Sequence, residues 1–321
     1  MRPALVVLSL AMAAAILAAG ITRSYPVLVV AFGIVGATSG ALDALGNRYQ
    51  TVIRDVSDAG LMYGSYGVGA MVAPLLIARL SWTVAFAIAA GVAAIGAALA
   101  AERRTSWPAA MEGTEPPRHE AAPLDLHLGT VAISLSLFAI YCGLEVTTAS
   151  WAASYLVDAR GAREPSAAAA TSGFWAGMTI GRLGLGRIAG AGRRLTPHHL
   201  LVGSACLATA TYLLLAVVPV PPGLVLPTVA GLALAGMFPT LMTTTADRVG
   251  VAATGRVMGW QLVSATTAEL VVAGLVGLGV HVAGASVPAW VLAAMAVVGL
   301  PLVLRAVRLH AADDEVLARQ P

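Results

Sequence analysis

The stretch Leu128–Trp151 reads LGTVAISLSLFAIYCGLEVTTASW, and Glu145 is its one charged residue. As an α-helix it would extend about 36 Å, enough to cross a hydrocarbon core about 30 Å thick. Its apolar residues do not alternate with polar ones. Such alternation is typical of the strands of an outer-membrane barrel. Similar runs elsewhere predict an all-α, polytopic membrane protein: Ala4–Gly20, Pro26–Leu45, Leu61–Leu80, Trp82–Ala101, Ala167–Leu185, Leu200–Val220, Gly223–Thr245, Val257–Val282 and Pro288–Val307.

The composition excludes most soluble folds. Of the 321 residues, 58% are hydrophobic and 11% are charged, and the mean hydropathy is +0.83. A soluble domain carries about 25% charged residues, and disordered chains are far less apolar. The net charge of +3 is scattered along the chain, so we expect anchoring of helix ends in the lipid bilayer and no nucleic-acid partner. Cys142 and Cys206 lie in apolar runs without ligand-type neighbours, which indicates free thiols and no metal site.

Arginines are unevenly distributed between the two sides of the membrane. With a cytoplasmic N-terminus, 15 of the 19 basic residues, all arginines, fall on the cytoplasmic side. The others are Arg23, Arg79, Arg160 and Arg163. The positive-inside rule therefore predicts cytoplasmic termini, in agreement with an even number of spans. An alternative for the first run is a signal peptide cleaved near Ala19.

A polar stretch divides the apolar runs into four and six. It extends from Glu102 to Asp125 and contains four prolines with charges of both signs, which is typical of a flexible linker. The two sides look related, because Gly60-x-x-x-Gly64 recurs 195 residues later as Gly255-x-x-x-Gly259. We predict an incomplete four-helix half over 1–101, a cytoplasmic linker over 102–126, a six-helix half over 127–309 and a cytoplasmic tail over 310–321.

Several ordered motifs resemble one transporter family. They are Gly40–Asn47 (GALDALGN), Gly60–Ala70 (GLMYGSYGVGA) followed by Pro74, Gly143–Val146 (GLEV), Phe174–Gly177 (FWAG) and Gly181-Arg182. These motifs are similar to the fourth, fifth, seventh and eighth helices of the major facilitator superfamily. The branch they resemble is that of the fucose/proton symporters and of the "bypass of stop codon" proteins. The resemblance implies a major-facilitator-like bundle with about ten of the usual twelve spans, four plus six.

The family's first two helices have no counterpart in this sequence. In the family, the first of them lines the central cavity. We expect that the start site has been placed too late in the reading frame. The alternative is a truncated relative that does not transport.

Charged side chains inside spans cost roughly 2.5–3.5 kcal/mol on insertion scales, which makes them functional candidates. Glu145 lies about 26 Å along its run, and its carboxyl group could couple a proton to solute movement by permitting occlusion from water when neutral. Asp43 and Asn47 are four residues apart on one helical face and coincide with a family motif. Glu269 lies near the centre of its run, with Gln261 two turns earlier. For each, the alternative is a polar group that hydrogen-bonds its neighbours.

Arg182 lies near the end of the run Ala167–Leu185, in the sequence Gly181–Arg187 (GRLGLGR). This spacing resembles the cytoplasmic gating loop of the superfamily, so the resemblance implies that both arginines belong to a cytoplasmic gate. Trp175, at mid-span, and Trp151 are candidates for stacking on a sugar, with anchoring at the membrane interface as the alternative.

Glycine-rich faces of two runs predict close packing between helices. These faces consist of Gly33, Gly36 and Gly40 in one run and of Gly60, Gly64, Gly67 and Gly69 in the next.

The sequence shows no nucleotide-binding loop, metal-ligand spacing or nucleophile–base arrangement, so we expect neither an enzyme nor a cofactor. The expected function is secondary active transport of a small hydrophilic solute, a sugar above all, by proton symport. The expected energy source is the proton gradient, and the expected location is the inner cell membrane, as a monomer. The alternatives are efflux of drugs or metabolites by proton antiport and a membrane protein that does not transport.

Overall fold

The computed structural model describes residues 2–53, 56–102, 128–190 and 196–318, and all elements in these ranges are helical. The prediction of an all-α fold is confirmed. The helices are α1 (Arg2–Ile21), α2 (Tyr25–Ile53), α3 (Val56–Arg79), α4 (Trp82–Ala101), α5 (Leu128–Ser154), α6 (Glu164–Gly190), α7 (Pro197–Val217), α8 (Val220–Gly223), α9 (Leu226–Leu234), α10 (Met237–Thr243), α11 (Thr245–Val249), α12 (Val251–Ala283) and α13 (Val287–Ala318).

Eight candidate membrane spans are found within the described ranges. They include seven of the long helices and one span, Val220–Met242, that is assembled from the short helices α8, α9 and α10. A continuous apolar run had been predicted there, over Gly223–Thr245. Pro227 and Pro239 inside this run lack the backbone N–H that would bind the carbonyl four residues earlier, and the helix is interrupted at Leu224–Val225 and at Ala235–Gly236.

Helix ends follow local sequence signals. The Thr196 hydroxyl accepts a hydrogen bond from the backbone N–H of His199, and Pro197 occupies the first turn of α7. Helix α12 ends at Ala283. The next residue, Gly284, has a φ of 96°, which is accessible to glycine but strained for other residues. The π-helical turn Tyr155–Ala159 continues α5, so this span extends beyond Trp151.

The chain divides into two compact units, Met1–Tyr63 with Leu76–Glu120 and Gly64–Leu75 with Ala121–Pro321. In the first unit, α1 packs against α2 and α4. The Trp82 indole N–H donates to the Ala19 carbonyl over 3.1 Å, and the Thr83 hydroxyl donates to the Gly20 carbonyl over 3.0 Å. The run that also fitted a signal peptide is therefore a packed helix of this unit. The predicted linker, apart from Glu102, lies outside the described residues.

The second unit contains one large core. Helix α5 packs against α12, α13 and α6, while α9 packs against α6 and α7. The core centres on bulky side chains that are at most 1% exposed, among them Phe138, Tyr141, Phe174, Tyr212 and Leu292. Large apolar side chains on the outer face of α12, such as Leu270 and Val282, are exposed, as expected of a surface that faces lipid.

Close helix packing occurs at one of the predicted glycines and at several others. Around Gly33, Gly36 and Gly40, no described atom lies within 4 Å of the position of an added Cβ, so the described residues show no close packing at this face. Gly67 does contact Thr179, whereas Gly69 has open space, and the side-chain surroundings of positions 60 and 64 are outside the described residues. The tightest contacts instead join α6 to α9, through Gly173, Gly177, Gly181 and Gly231.

Candidate functional site

Tyr141, Glu145 and Arg182 form a polar cluster in the second unit, called here the Tyr141–Glu145–Arg182 cluster. Tyr141 and Glu145 are one turn apart on α5, and the Tyr141 hydroxyl donates a hydrogen bond to Glu145 Oε2. Arg182 reaches the same point from α6. Its Nη2 lies 3.8 Å from Glu145 Oε1 and donates to the Tyr141 hydroxyl oxygen over 3.3 Å. Both helices therefore contribute a charged group to one site.

The cluster is buried on one side and accessible on the other. Tyr141 is 1% exposed, whereas the side chains of Glu145 and Arg182 are 15% and 24% exposed. The guanidinium supplies the counter-charge that an acid inside a helical bundle needs. Glu145 thus has a cation and a hydroxyl donor as partners, while its role in proton coupling stays a prediction.

Helix α6 is longer than the predicted run. The run was predicted to end at Leu185, but α6 continues to Gly190 and Arg182 lies eight residues before that end. Gly181 packs tightly against Ala235, the residue that follows α9. The ion pair of Arg182 with Glu145 was not predicted, and the role of Arg182 in a cytoplasmic gate stays a prediction. The side chain of Arg187 lies outside the described residues.

Glu269 lies on α12, which packs against α5, the helix of Glu145. Its side chain is half-buried, and no hydrogen-bond or ion-pair partner for it is found among the described residues. The second unit therefore carries two predicted acids, Glu145 and Glu269, on two helices that pack against each other.

Gln261 lies elsewhere on the interface between α5 and α12. It is fully buried, and its amide nitrogen donates to the Ser134 hydroxyl over 2.7 Å. The Thr245 hydroxyl lies 3.3 Å from Gln261 Oε1 and also donates to the Leu241 carbonyl over 2.9 Å. The amide thus joins α5, α11 and α12, and in this conformation it is enclosed by protein.

The two predicted tryptophans have different surroundings. The Trp151 indole N–H donates to the Ala273 carbonyl of α12 over 3.2 Å, and its ring edge covers Gly277. Trp175 lies two turns before Arg182 on α6, and it makes an edge-to-face contact with Tyr66 at 5.6 Å between ring centroids. Tyr66, at 59% exposed, leaves part of this aromatic pair accessible.

Asp43 belongs to the first unit, where its side chain is exposed on α2. The side chain of its predicted partner, Asn47, lies outside the described residues. The hydrogen bond expected between them therefore stays a prediction.

No protein-family model matches the chain. The bypass of stop codon protein 6 of Saccharomyces cerevisiae is 29% identical over 182 residues, which is 47% of this chain and 36% of the yeast protein. The chain therefore matches little more than a third of the length of that curated relative.

Solved transporter structures share the fold of the chain. The major facilitator superfamily transporter FucP, in its outward conformation, has a TM-score of 0.64 and 18% identity, over 96% of this chain and 83% of that one. A second structure, of the E. coli fucose:proton symporter FucP, has a TM-score of 0.62 and 17% identity over the same shares. A bacterial homologue of the human lysosomal transporter Spinster has a TM-score of 0.51 and 15% identity, over 97% and 82%. The chain therefore has the fold of the major facilitator superfamily transporters.

Proposed function

We propose that this chain is a secondary active transporter that moves a small hydrophilic solute together with a proton by alternating access. The observation that carries the proposal is the Tyr141–Glu145–Arg182 cluster, an ion pair held inside a helical bundle with apolar outer surfaces. Ionisable groups at such positions are expensive and mark ion or substrate paths. The transporter fold supports movement of a solute, and the acids offer a means of coupling that movement to a proton gradient.

Coupling requires that the carrier with proton and solute changes conformation more readily than the half-loaded carrier. An acid without a counter-charge resists removal from water, whereas a neutralised cluster can be occluded. Binding of a proton to Glu145 changes the net charge of the cluster by one and releases Arg182 from the ion pair, so protonation controls which loaded states can cross. This is the role that we assign to Glu145 and its neighbours.

A sugar is the solute class that we propose. Aromatic rings bury apolar surface at low conformational cost, and Trp175 with Tyr66 provides such a surface on the same helix as Arg182. Charged groups nearby can hydrogen-bond to hydroxyl groups. We further propose that the protein acts as a monomer in the inner cell membrane, with both termini in the cytoplasm.

The test is uptake of radiolabelled monosaccharides by the full chain in proteoliposomes, with and without an inward proton gradient. We expect accumulation above equilibrium that an ionophore abolishes, and loss of this accumulation in Glu145→Gln. Glu164→Gln is the matched control, because Glu164 is exposed at the start of α6. Uptake that ignores the gradient in the parent chain, or full accumulation by Glu145→Gln, contradicts proton symport through this cluster.

A further inference from the structure

Helix α13 is buried along one face and exposed along the other. On the buried face, Leu292, Ala296 and Val303 are at most 3% exposed and belong to the core of the second unit. The exposed residues of its second half recur at spacings of three and four, so they lie on one side of the helix. They are called here the α13 stripe: Val297, Val298, Pro301, Leu304, Arg305 and Arg308.

The α13 stripe changes from apolar to cationic at the end of a candidate membrane span. This span extends from Val287 to Arg308, about 33 Å as a helix, which matches a hydrocarbon core about 30 Å thick. Val297 and Val298, at 47% and 56% exposed, lie in the apolar part of the span. Arg305 and Arg308 lie in its last turn. The two arginines are therefore at the depth of the lipid headgroups, and the valines are at the depth of the acyl chains.

A cavity lies at the cationic end of the α13 stripe. Its volume is about 410 Å³, and Pro301, Leu304, Arg305 and Arg308 line it. Pockets for small ligands have volumes of about 300–1,000 Å³. Pro301 has no backbone N–H to donate to the Val297 carbonyl, and helices bend at such prolines. The apolar stripe thus ends in a space that two guanidinium groups border.

Neither arginine of the α13 stripe has an acidic partner within the part of the chain that the structure describes. Arg305 and Arg308 are one turn apart, so their charges repel each other. The nearest acids that follow on the helix are five to seven residues after Arg308, which is more than one turn away: Asp313, Asp314 and Glu315. A phosphate group between the guanidinium groups would accept hydrogen bonds from both and would remove their repulsion.

We propose that the α13 stripe binds one anionic phospholipid, with its phosphate between Arg305 and Arg308 and an acyl chain along Val297 and Val298. Basic pockets on the cytoplasmic side of helical membrane proteins bind such headgroups. The positive-inside rule predicts that this end of α13 is cytoplasmic. The lipid site is on a different helix from the Tyr141–Glu145–Arg182 cluster and does not depend on the transported solute. A bound lipid should stabilise the second unit by mass action.

Native mass spectrometry of the full chain in a neutral detergent tests the proposal. We expect one phosphatidylglycerol molecule to be retained in preference to phosphatidylcholine with the same acyl chains. Each arginine near anionic lipid contributes about fivefold in affinity, so Arg305→Gln with Arg308→Gln should weaken phosphatidylglycerol binding about thirtyfold. Arg305→Lys with Arg308→Lys should keep the preference for phosphatidylglycerol, because both positive charges remain. All these positions are exposed, so the variants should fold.

The matched control is Arg163→Gln with Arg256→Gln, which removes the same charge from two exposed positions outside the α13 stripe. This variant should bind phosphatidylglycerol as the parent does. Equal retention of the two lipids by the parent, or unchanged binding by Arg305→Gln with Arg308→Gln, overturns the proposal. An excess of inorganic phosphate should not displace the lipid, because phosphate has no acyl chain. Displacement by phosphate would show a site for anions in general and would also overturn it.

Discussion

Glu145 and Arg182 meet on neighbouring helices with little access to water. At 15% and 24% exposed, each side chain depends on the other for part of the solvation that water would provide. Removing one partner leaves a poorly hydrated charge without a counter-ion, whereas removing both does not. The stability of the second unit should therefore respond to the two residues as a pair and not to each of them independently.

We predict that Glu145→Gln and Arg182→Gln each lower the free energy of unfolding, by about 1–3 kcal/mol, less than for a fully buried pair because both side chains are partly exposed. The double variant should lose less than the sum, with a coupling energy of about 1 kcal/mol or more. Thermal unfolding of the purified variants measures this. The matched control is Arg163→Gln with Glu164→Gln, two exposed residues outside the cluster, for which we expect small effects. Additive losses at positions 145 and 182 would show that the pair is not energetically coupled.

At the scale of elements, the closest approach in the second unit is between α6 and α9. An added Cβ at Gly177 would overlap the Thr228 backbone carbonyl, and one at Gly231 would overlap that of Phe174. Backbone atoms cannot move aside as a flexible side chain can. Small residues let transmembrane helices approach closely, which favours dispersion contacts where both lipid and protein are apolar. This contact also sets the position of Trp175 and Arg182, since both lie on α6.

We predict that Gly231→Ala separates α6 from α9 and destabilises the protein by about 1–3 kcal/mol or more. The matched control is Gly184→Ala on α6, where no described atom lies within 4 Å of an added Cβ. That change should be neutral or stabilising by up to about 1 kcal/mol, because alanine is the better helix former. Melting temperatures of the two variants in detergent provide the comparison. Equal melting temperatures would mean that the α6–α9 contact tolerates an extra methyl group.

At the scale of the whole molecule, the distribution of arginines along the chain predicts the orientation in the membrane. Fifteen of nineteen fall on one side when the N-terminus is cytoplasmic. The polar segment 102–126 would then lie on the same side as both termini.

We therefore predict the labelling of a Gly113→Cys variant in which Cys142 and Cys206 are replaced by serine. A membrane-impermeant maleimide should modify position 113 only when the cytoplasmic face is accessible. Inverted vesicles and intact cells provide the two conditions. The native cysteines must be removed because Cys206 is exposed on its helix. Modification of position 113 in intact cells would show that the predicted topology is wrong.

The sequence by itself indicated the spans, because a bilayer requires long apolar runs whose backbone groups are satisfied within a helix. Eight of the ten predicted runs correspond to candidate spans in the described ranges. It also singled out Glu145 and Glu269, because any charge in such a run is conspicuous. It singled out Arg182 by the resemblance of its surroundings to a gating loop. The interruption of Gly223–Thr245 was accessible from its prolines, but the run was interpreted as continuous.

Only the tertiary structure decided which faces of the helices meet. Lipid and protein interior are both apolar, so a span that is apolar all round does not reveal its rotation or its neighbours. For that reason the glycines at 33, 36 and 40 were expected to pack, whereas Gly177 and Gly231 do so. The ion pair of Arg182 with Glu145 and the enclosure of Gln261 depend on the same rotations. Hydropathy is a property of one segment, whereas a contact is a property of two.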